Sequence, residues 1–229
     1  MPNPARSHTG GAELIRRATS GQAHAFATPL VTKADGTKYG KTEGGTVWLD
    51  PELTSPYAFY QFWLNAEDSQ VGRLLRVFTF RGPEEIEALE QATLERPQAR
   101  EGQRALAADV TTLVHGERAT EQAIAASQAL FGRGTLAELD EQTLRDATAE
   151  LSRAHVSVGT PVVDAFVAAG LAPSRSGARR TISEGGAYVN NTKVDDVDAV
   201  LAAEQLLHGR YVVLRRGRKA LAAGVAVGG

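Results

Sequence analysis

Lysines and glycines are concentrated in residues 33–45, and this is the stretch best suited to chemistry. The lysines are Lys33, Lys38 and Lys41, and the glycines are Gly36, Gly40, Gly44 and Gly45. Glycine lets a backbone approach a ligand closely, and lysine ammonium groups attract phosphate oxygens. The combination favours a polyphosphate-binding loop. A solvated, lysine-bearing hairpin turn would use the same residues, so the spacing alone leaves both interpretations open.

The P-loop motif does not account for this stretch. Gly36 and Gly40 are separated by three residues, whereas the P-loop requires four between its glycines. The flanking sequence predicts a short helix over residues 11–19 and a strand over residues 23–32 that leads into the loop. One helix and one strand are only a remnant of an α/β layer, because a mononucleotide-binding fold needs several parallel strands.

Residues 54–151 predict a helical body. Thr54, Ser55 and Pro56 form a helix start with a hydroxyl cap and a proline in the first turn. The aromatic run that follows could stack on RNA bases or fill a core, and packing is favoured because no Arg or Lys is interleaved. His115 ends a predicted helix with no nucleophile or carboxylate pair beside it in sequence, which favours a structural role. Residues 152–160 have no helical period and predict a linker.

Residues 161–229 predict a small basic module of short helices and strands. It contains nine Lys or Arg against six Asp or Glu, a charge of +3, which leaves −5 for the rest of the chain. Arg175, Arg179 and Arg180 lie at positions i, i+4 and i+5, so at least two of them share a helix face one turn apart. A second basic edge consists of Arg215, Arg216, Arg218 and Lys219. A solvated charged surface is one interpretation, but two clusters in one small module favour RNA binding.

Composition excludes several other classes of protein. The 229 residues contain no cysteine and five scattered histidines, so that neither a disulfide framework nor a metal site is predicted. No apolar run reaches the roughly 20 residues that a spanning helix needs. The N-terminal residues lack the apolar segment of a signal peptide. The sequence therefore predicts a cytoplasmic protein without a membrane contact.

Five segments of the sequence resemble known protein families. KYGKT at residues 38–42 resembles the KMSKS signature of class I aminoacyl-tRNA synthetases, in the form KFGKT that bacterial tyrosyl-tRNA synthetases carry. LIRRATSGQAHAF before it, TEGGTVWLDPELTSPYAFYQFWLN after it and LVHGE at residues 113–117 are similar to the same family. GLAPSRSGARRTISEGGAYVNNTKV resembles the RNA-binding domain named after small-subunit ribosomal protein four, here called the S-four domain.

The resemblance implies a tyrosine–tRNA ligase, which joins tyrosine to ATP and passes the tyrosyl group to tRNA(Tyr). It implies that Lys41 binds the ATP phosphates, with Lys38, Gly40 and Thr42 in the same loop, and that Mg²⁺ arrives with the nucleotide. The RNA-binding residues that it carries over are Ser174, Arg175, Arg179, Arg180 and Lys193. The family's tyrosine pocket, its HIGH motif and its dimer surface belong to an N-terminal domain, so this chain is expected to be the C-terminal portion.

The expected fold class is therefore α+β, in four segments. Residues 1–53 are the remnant of a Rossmann-type layer with the KMSKS-like loop, and residues 54–151 are an all-helical anticodon-side domain. Residues 152–160 are a linker, and residues 161–229 are an S-four-type RNA-binding domain. The alternative function is a stand-alone RNA-binding protein derived from a synthetase, without ligase activity.

Overall fold

The chain is a mixed helix and sheet protein, as the sequence predicts. The computed structural model describes residues 4–24, 31–32, 41–42, 45–131, 134–217 and 220–226. The chain divides into two compact units, the first ending at Thr46 and the second beginning at Val47. None of the helices in the described ranges is long and apolar enough to cross a membrane.

The first unit contains one described helix and one strand pair. Helix α1 (Pro4–Thr19) begins before the predicted residue 11, and strands β1 (Lys41–Thr42) and β2 (Gly45–Thr46) run antiparallel. Glu13 accepts hydrogen bonds from Arg16 and Arg17 one turn further on, which supports an exposed helix. Most of the strand predicted over residues 23–32 lies outside the described residues.

The second unit starts with the predicted helical body. Its helices are α2 (Pro56–Leu64), α3 (Asp68–Phe78), α4 (Pro83–Glu95), α5 (Glu101–His115), α6 (Glu117–Leu130) and α7 (Glu141–Ala147). Helix α2 begins as predicted, because the Ser55 hydroxyl accepts a hydrogen bond from the Ala58 amide and Pro56 occupies the first turn. Helix α5 ends as predicted where Gly116 adopts a positive φ of 85°.

Aromatic residues of α2 form the core of this body. Phe59, Tyr60 and Trp63 are buried, and the Trp63 ring centroid lies 5.0 Å from that of Phe78 on α3. Helix α5 packs close to its neighbours at Gly102, where an added Cβ would lie 2.7 Å from Val71. The preference for packing over base stacking in this aromatic run is therefore confirmed.

A five-stranded sheet follows the helical body. Its strands are β3 (Ser152–Val156), β4 (Ala187–Val189), β5 (Thr192–Lys193), β6 (Tyr211–Arg216) and β7 (Ala220–Ala226). Their spatial order is β3-β7-β6-β4-β5, with β3 parallel to β7 and the other neighbours antiparallel. The short strands that the sequence predicts in the basic module are confirmed.

The linker prediction is wrong at residues 152–156, which form β3. Ala154 and Val156 are buried on alternate positions while the residues between them are exposed, which is the pattern of an edge strand with one covered face. The segment carries no helical period because its period is that of a strand. Residues 157–160 then form a turn in which the Ser157 amide donates to the Thr160 hydroxyl.

The two faces of the sheet pack against different partners. On one face lie helices α8 (Val162–Ala168) and α9 (Arg175–Ser183), and their apolar residues share a core with Val212 and Leu214. On the other face, Tyr211 and Val213 pack into a cluster of helical-body residues: Ala126, Ala129, Leu130, Leu136, Leu139, Leu144 and Ala147. Strand β6 thus contributes to two cores, and its sequence YVVL shows no alternation for that reason.

Two hydrogen bonds join the sheet to the helical body beside this second core. The Asn191 amide donates to the carbonyl of Ala129 at 2.6 Å, and the His208 ring nitrogen Nε2 lies 2.8 Å from the carbonyl of Leu139. Asn191 and His208 both adopt positive φ, 66° and 51°, in turns that bring their side chains to the helices. Apolar packing and these polar contacts together fix the sheet on the body.

His115 makes the helical core sensitive to pH. Its ring lies edge-on to Phe59 with the centroids 4.8 Å apart, and its Nε2 atom is buried without a hydrogen-bond partner. Burial lowers the pKa of His115, because the desolvated imidazolium is disfavoured. Since the folded pKa lies below the unfolded one, the neutral ring contributes stability above about pH 6.5, and that stability is lost as the pH falls through the folded pKa.

We expect His115→Gln to reduce the pH dependence of stability. Urea unfolding at about pH 7.5 and about pH 5.5 measures it, and the wild type should lose more of its free energy of unfolding than the variant does between these two values. His155→Gln on the exposed edge of β3 is the control. Equal losses in the wild type and His115→Gln would contradict the assignment.

Candidate nucleic-acid interface

The lysine loop lies mostly outside the described residues. Lys38 and Gly40 fall in the undescribed range 33–40. For Lys41 and Thr42 the backbone is described, as strand β1, in which Lys41 lies opposite Thr46 and Thr42 opposite Gly45. The predicted phosphate-binding roles of these residues therefore stay predictions, and the geometry below concerns the basic module.

Helix α9 presents the first basic cluster. Ser174 caps the helix, since its hydroxyl accepts a hydrogen bond from the Gly177 amide at 3.2 Å. Ala178 and Ile182 are buried against the sheet, which leaves the arginines on the outer side. Arg175, Arg179 and Arg180 are all exposed there.

Two of these arginines are paired with carboxylates from other elements. Arg175 donates through Nε and Nη2 to the two oxygens of Asp164 on α8, each at 2.5 Å. Arg179 donates through Nη2 to Asp198 at 2.9 Å. Asp164 and Asp198, with Pro161 and Val163, line a groove of about 190 Å³ that both arginines enter. The bond to Asp164 raises the pKa of Arg175, so that its guanidinium stays charged.

The remaining cations of this cluster are paired locally. Arg180 donates to Glu184 one turn along the helix at 2.7 Å, and Lys193 Nζ lies 2.6 Å from Asp195. The bond to Asp195 raises the pKa of Lys193. Sequence reasoning missed these acidic partners. Of the three arginine pairs, only Arg180–Glu184 can be recognised in the sequence, from its spacing of four residues on a helix. The Arg175 and Arg179 pairs join residues that come together only in the fold.

The second basic cluster lies at the end of β6. Arg216 is exposed, and Arg215 is half-buried with its guanidinium carbon 3.9 Å from the centroid of the Tyr188 ring on β4. Arg218 and Lys219 lie outside the described residues. Tyr188 is the residue that sequence reasoning missed here. The register of β4 and β6 identifies Tyr188, because that register places it directly opposite Arg215.

No metal centre accompanies the basic surface within the described ranges. There, no group of three His, Asp or Glu residues is arranged to hold a metal ion. The described surface combines exposed guanidinium and ammonium groups with one half-buried aromatic ring. This arrangement can bind phosphates and stack on a planar group, and both features belong to RNA-binding surfaces.

Comparisons with known proteins identify the family to which this chain belongs. The family described as "tRNA synthetases class I (W and Y)" matches residues 8–132, more than half of the chain, and the "Tyrosine--tRNA ligase SYY-like C-terminal domain" matches residues 143–222. The chain is therefore of the class I synthetase type. It belongs to the tyrosyl-tRNA synthetase family.

Individual relatives are similar over nearly the whole chain. The tyrosine–tRNA ligase of Streptomyces avermitilis is 61% identical over 222 residues, which are 96% of this chain and 53% of that protein. That of Thermobifida fusca is 58% identical over 220 residues, 92% of this chain and 51% of that protein. A solution structure of a tyrosyl-tRNA synthetase C-terminal domain is 34% identical and covers 41% of this chain and 96% of that chain, with a TM-score of 0.35. The chain spans about half the length of the curated relatives that it matches.

Replacing the cap of α9 tests whether Ser174 stabilises the helix that carries the arginines. We expect Ser174→Ala to lower the free energy of unfolding by about 1 kcal/mol, because the Gly177 amide loses its acceptor. The control is Ser176→Ala, which removes the 3.0 Å contact between the two hydroxyls and keeps the cap. Equal urea unfolding curves for the two variants would contradict this role.

Proposed function

We propose that this chain supplies the signature lysine loop and the tRNA-binding part of a tyrosine–tRNA ligase. The observation that carries the proposal is the 61% identity to such a ligase over 96% of the chain. The ligase reaction uses ATP, tyrosine and tRNA(Tyr) and yields tyrosyl-tRNA, AMP and diphosphate. The second candidate, an RNA-binding protein without ligase activity, is favoured by the exposed basic surface of the described module.

The proposed domains follow the segments that the sequence predicts, with one revision. Residues 1–53 carry part of a Rossmann-type catalytic layer, and the helical body is the anticodon-side domain. The RNA-binding module extends back to Ser152, because β3 pairs with β7 along its whole length. We assign the family's dimer contact to the half of the relatives' length that lies outside the match with this chain. Because the proposed partner is a tRNA, we also propose a location in the cytoplasm.

In the first chemical step we assign Lys41 to the ATP phosphates. The tyrosine carboxylate forms a bond to the α-phosphorus while the bond to the bridging oxygen of the β-phosphate breaks. Negative charge develops on the departing diphosphate, and an ammonium group held there lowers the barrier. Lys38, Gly40 and Thr42 belong to the same loop. Mg²⁺ would arrive with ATP, and no residue of this chain is assigned to hold it.

In tRNA binding we assign the contacts to RNA to Ser174, Arg175, Arg179, Arg180, Lys193, Arg215, Arg216, Arg218 and Lys219. The described pairs add a condition to this proposal. Arg175 and Arg179 are already hydrogen-bonded to Asp164 and Asp198, so an RNA phosphate must either share each guanidinium with a carboxylate or displace that carboxylate. The carboxylates should therefore weaken binding to any RNA that cannot bring its phosphates into the groove.

A chimeric ligase tests the catalytic assignment. In it, this chain replaces the matching half of the Streptomyces avermitilis ligase. We expect tyrosine-dependent ATP–pyrophosphate exchange by the chimera, and a loss of about 100-fold or more in Lys41→Ala. Lys193→Ala is the control, which should leave exchange unchanged and raise the KM for tRNA. A folded chimera without exchange would contradict the ligase and favour the second candidate.

The salt dependence of tRNA binding by the isolated chain tests the basic surface. We expect Arg175→Ala/Arg179→Ala to bind tRNA(Tyr) more weakly and with a flatter salt dependence, by about one unit of slope for each arginine that no longer neutralises a phosphate. Asp198→Asn should act in the opposite direction and bind a few-fold more tightly, on the scale of one exposed ion pair.

The matched control for Asp198→Asn is Glu90→Gln, which removes the same charge from an exposed arginine pair on the helical body. It should change affinity less than Asp198→Asn does. An unchanged salt slope in the double arginine variant would remove α9 from the interface. Equal gains in Asp198→Asn and Glu90→Gln would show that only net charge matters.

A further inference from the structure

We propose that Tyr188 and Arg215 form a stacking platform for one unpaired nucleobase of the bound tRNA, with Lys193 beside it for the adjoining phosphate. The proposal rests on the tRNA binding proposed above and names a site for it. Phosphate contacts position an RNA without identifying it, whereas a stacked base responds to the presence of the base itself.

The strand register brings the three residues into one row. Tyr188 on β4 lies opposite Lys193 on β5 and also opposite Arg215 on β6. Directly opposed residues point to the same face of an antiparallel sheet and lie close enough to touch. The row therefore combines an aromatic ring with a cation on each side.

Next to this row, the same face of β6 is apolar and covered. Tyr211 and Val213 lie on the same face of β6, where the helical body buries them. Tyr188 is half-buried and belongs to neither of the two apolar clusters described above. Its neighbours Ala187 and Val189 point to the opposite face and are fully buried. Tyr188 is thus an aromatic side chain at the open part of a packed face.

The Arg215 guanidinium lies over the Tyr188 ring rather than extending into solvent. Its guanidinium carbon lies 3.9 Å from the ring centroid, and its Nη1 donates to the carbonyl of Gly217 at 2.6 Å. Its Nε is buried without a hydrogen-bond partner. A nucleobase can stack as a third layer on a planar guanidinium that lies over an aromatic ring, because bases stack on arginine planes and on aromatic rings alike.

Lys193 stands at the edge strand, where the platform meets the side of the sheet that carries α9. Its side chain runs past Gly185 at the end of α9, where an added Cβ would lie 2.8 Å from the Lys193 Cε. Helix α9 packs on the face opposite Tyr188. An RNA strand that contacts both α9 and Tyr188 must therefore pass around the edge strand β5, and Lys193 lies on that path.

The test is a double-mutant cycle between protein and RNA, with the full chain and a transcript of the Streptomyces avermitilis tRNA(Tyr). Each unpaired nucleotide of the RNA is replaced in turn by an abasic one. At one position we expect the abasic RNA to bind the wild type and Tyr188→Phe about 10-fold more weakly. Tyr188→Leu should bind the intact RNA more weakly by a similar factor and be indifferent to that abasic position.

Two further variants separate stacking from charge and from folding. Arg215→Lys keeps the charge but not the plane, so it should also lose sensitivity to that abasic position. Lys193→Ala should weaken binding to every RNA by the same factor, as a phosphate contact does. Arg215→Lys also provides the test if Tyr188→Leu does not fold.

The outcomes distinguish this proposal from the one on which it rests. If the wild type binds tRNA and no abasic position is coupled to Tyr188 or Arg215, the platform is overturned and the tRNA interface stands. If the wild type shows no salt-sensitive binding of tRNA, both are overturned. Coupling at one position to both residues, with none to Lys193, supports the platform.

Discussion

The burial of strand β6 on both faces is the constraint on which the rest of the second unit depends. Tyr211 and Val213 contact the helical body, while Val212 and Leu214 contact α8 and α9, and all four are buried. Separation of the sheet from the helical body would expose Tyr211 and Val213 together with the helical residues that cover them. The basic module is therefore not a free appendage of the helices, and its cations occupy fixed positions relative to the helical body.

This constraint also determines where charge can lie. Since both faces near β6 are apolar, the cations assigned to RNA binding lie on the outer side of α9, on the edge strand β5 and at the end of β6. On α9 they meet carboxylates from neighbouring elements, as in the Arg175–Asp164 pair. A surface of this kind attracts phosphates less strongly than one of unpaired arginines would. We infer that it favours an RNA whose shape brings phosphates to several of these pairs at once.

Much of the local structure could be predicted from the sequence, because it depends on neighbouring residues. The cap by Ser55, the end of α5 at Gly116 and the cap by Ser174 all follow from residue types at the helix ends. The strand at β6 follows from its apolar run. The identification of the family came from the KYGKT loop and the S-four-type pattern, which physical periodicity alone would not have supplied.

The features that the sequence did not reveal depend on partners distant in the chain. Strand β3 is short and contains both polar and apolar residues, and it forms a strand because it pairs with β7. Asp164 reaches Arg175 only because α8 and α9 pack together, and Tyr188 meets Arg215 only through the register of β4 and β6. The roles of Lys38 and Lys41 remain predictions from resemblance.

Native-state amide hydrogen exchange tests the central claim most directly, since it reports whether the sheet and the helical body open together. In low urea, the amides of Val213 on β6 and Leu130 on α6 should exchange with the same free energy of opening and the same urea dependence, because they share one core. If Val213 stays protected under conditions in which Leu130 exchanges freely, or the reverse, the two parts open independently, and this result would contradict a basic surface whose position is fixed on the helical body.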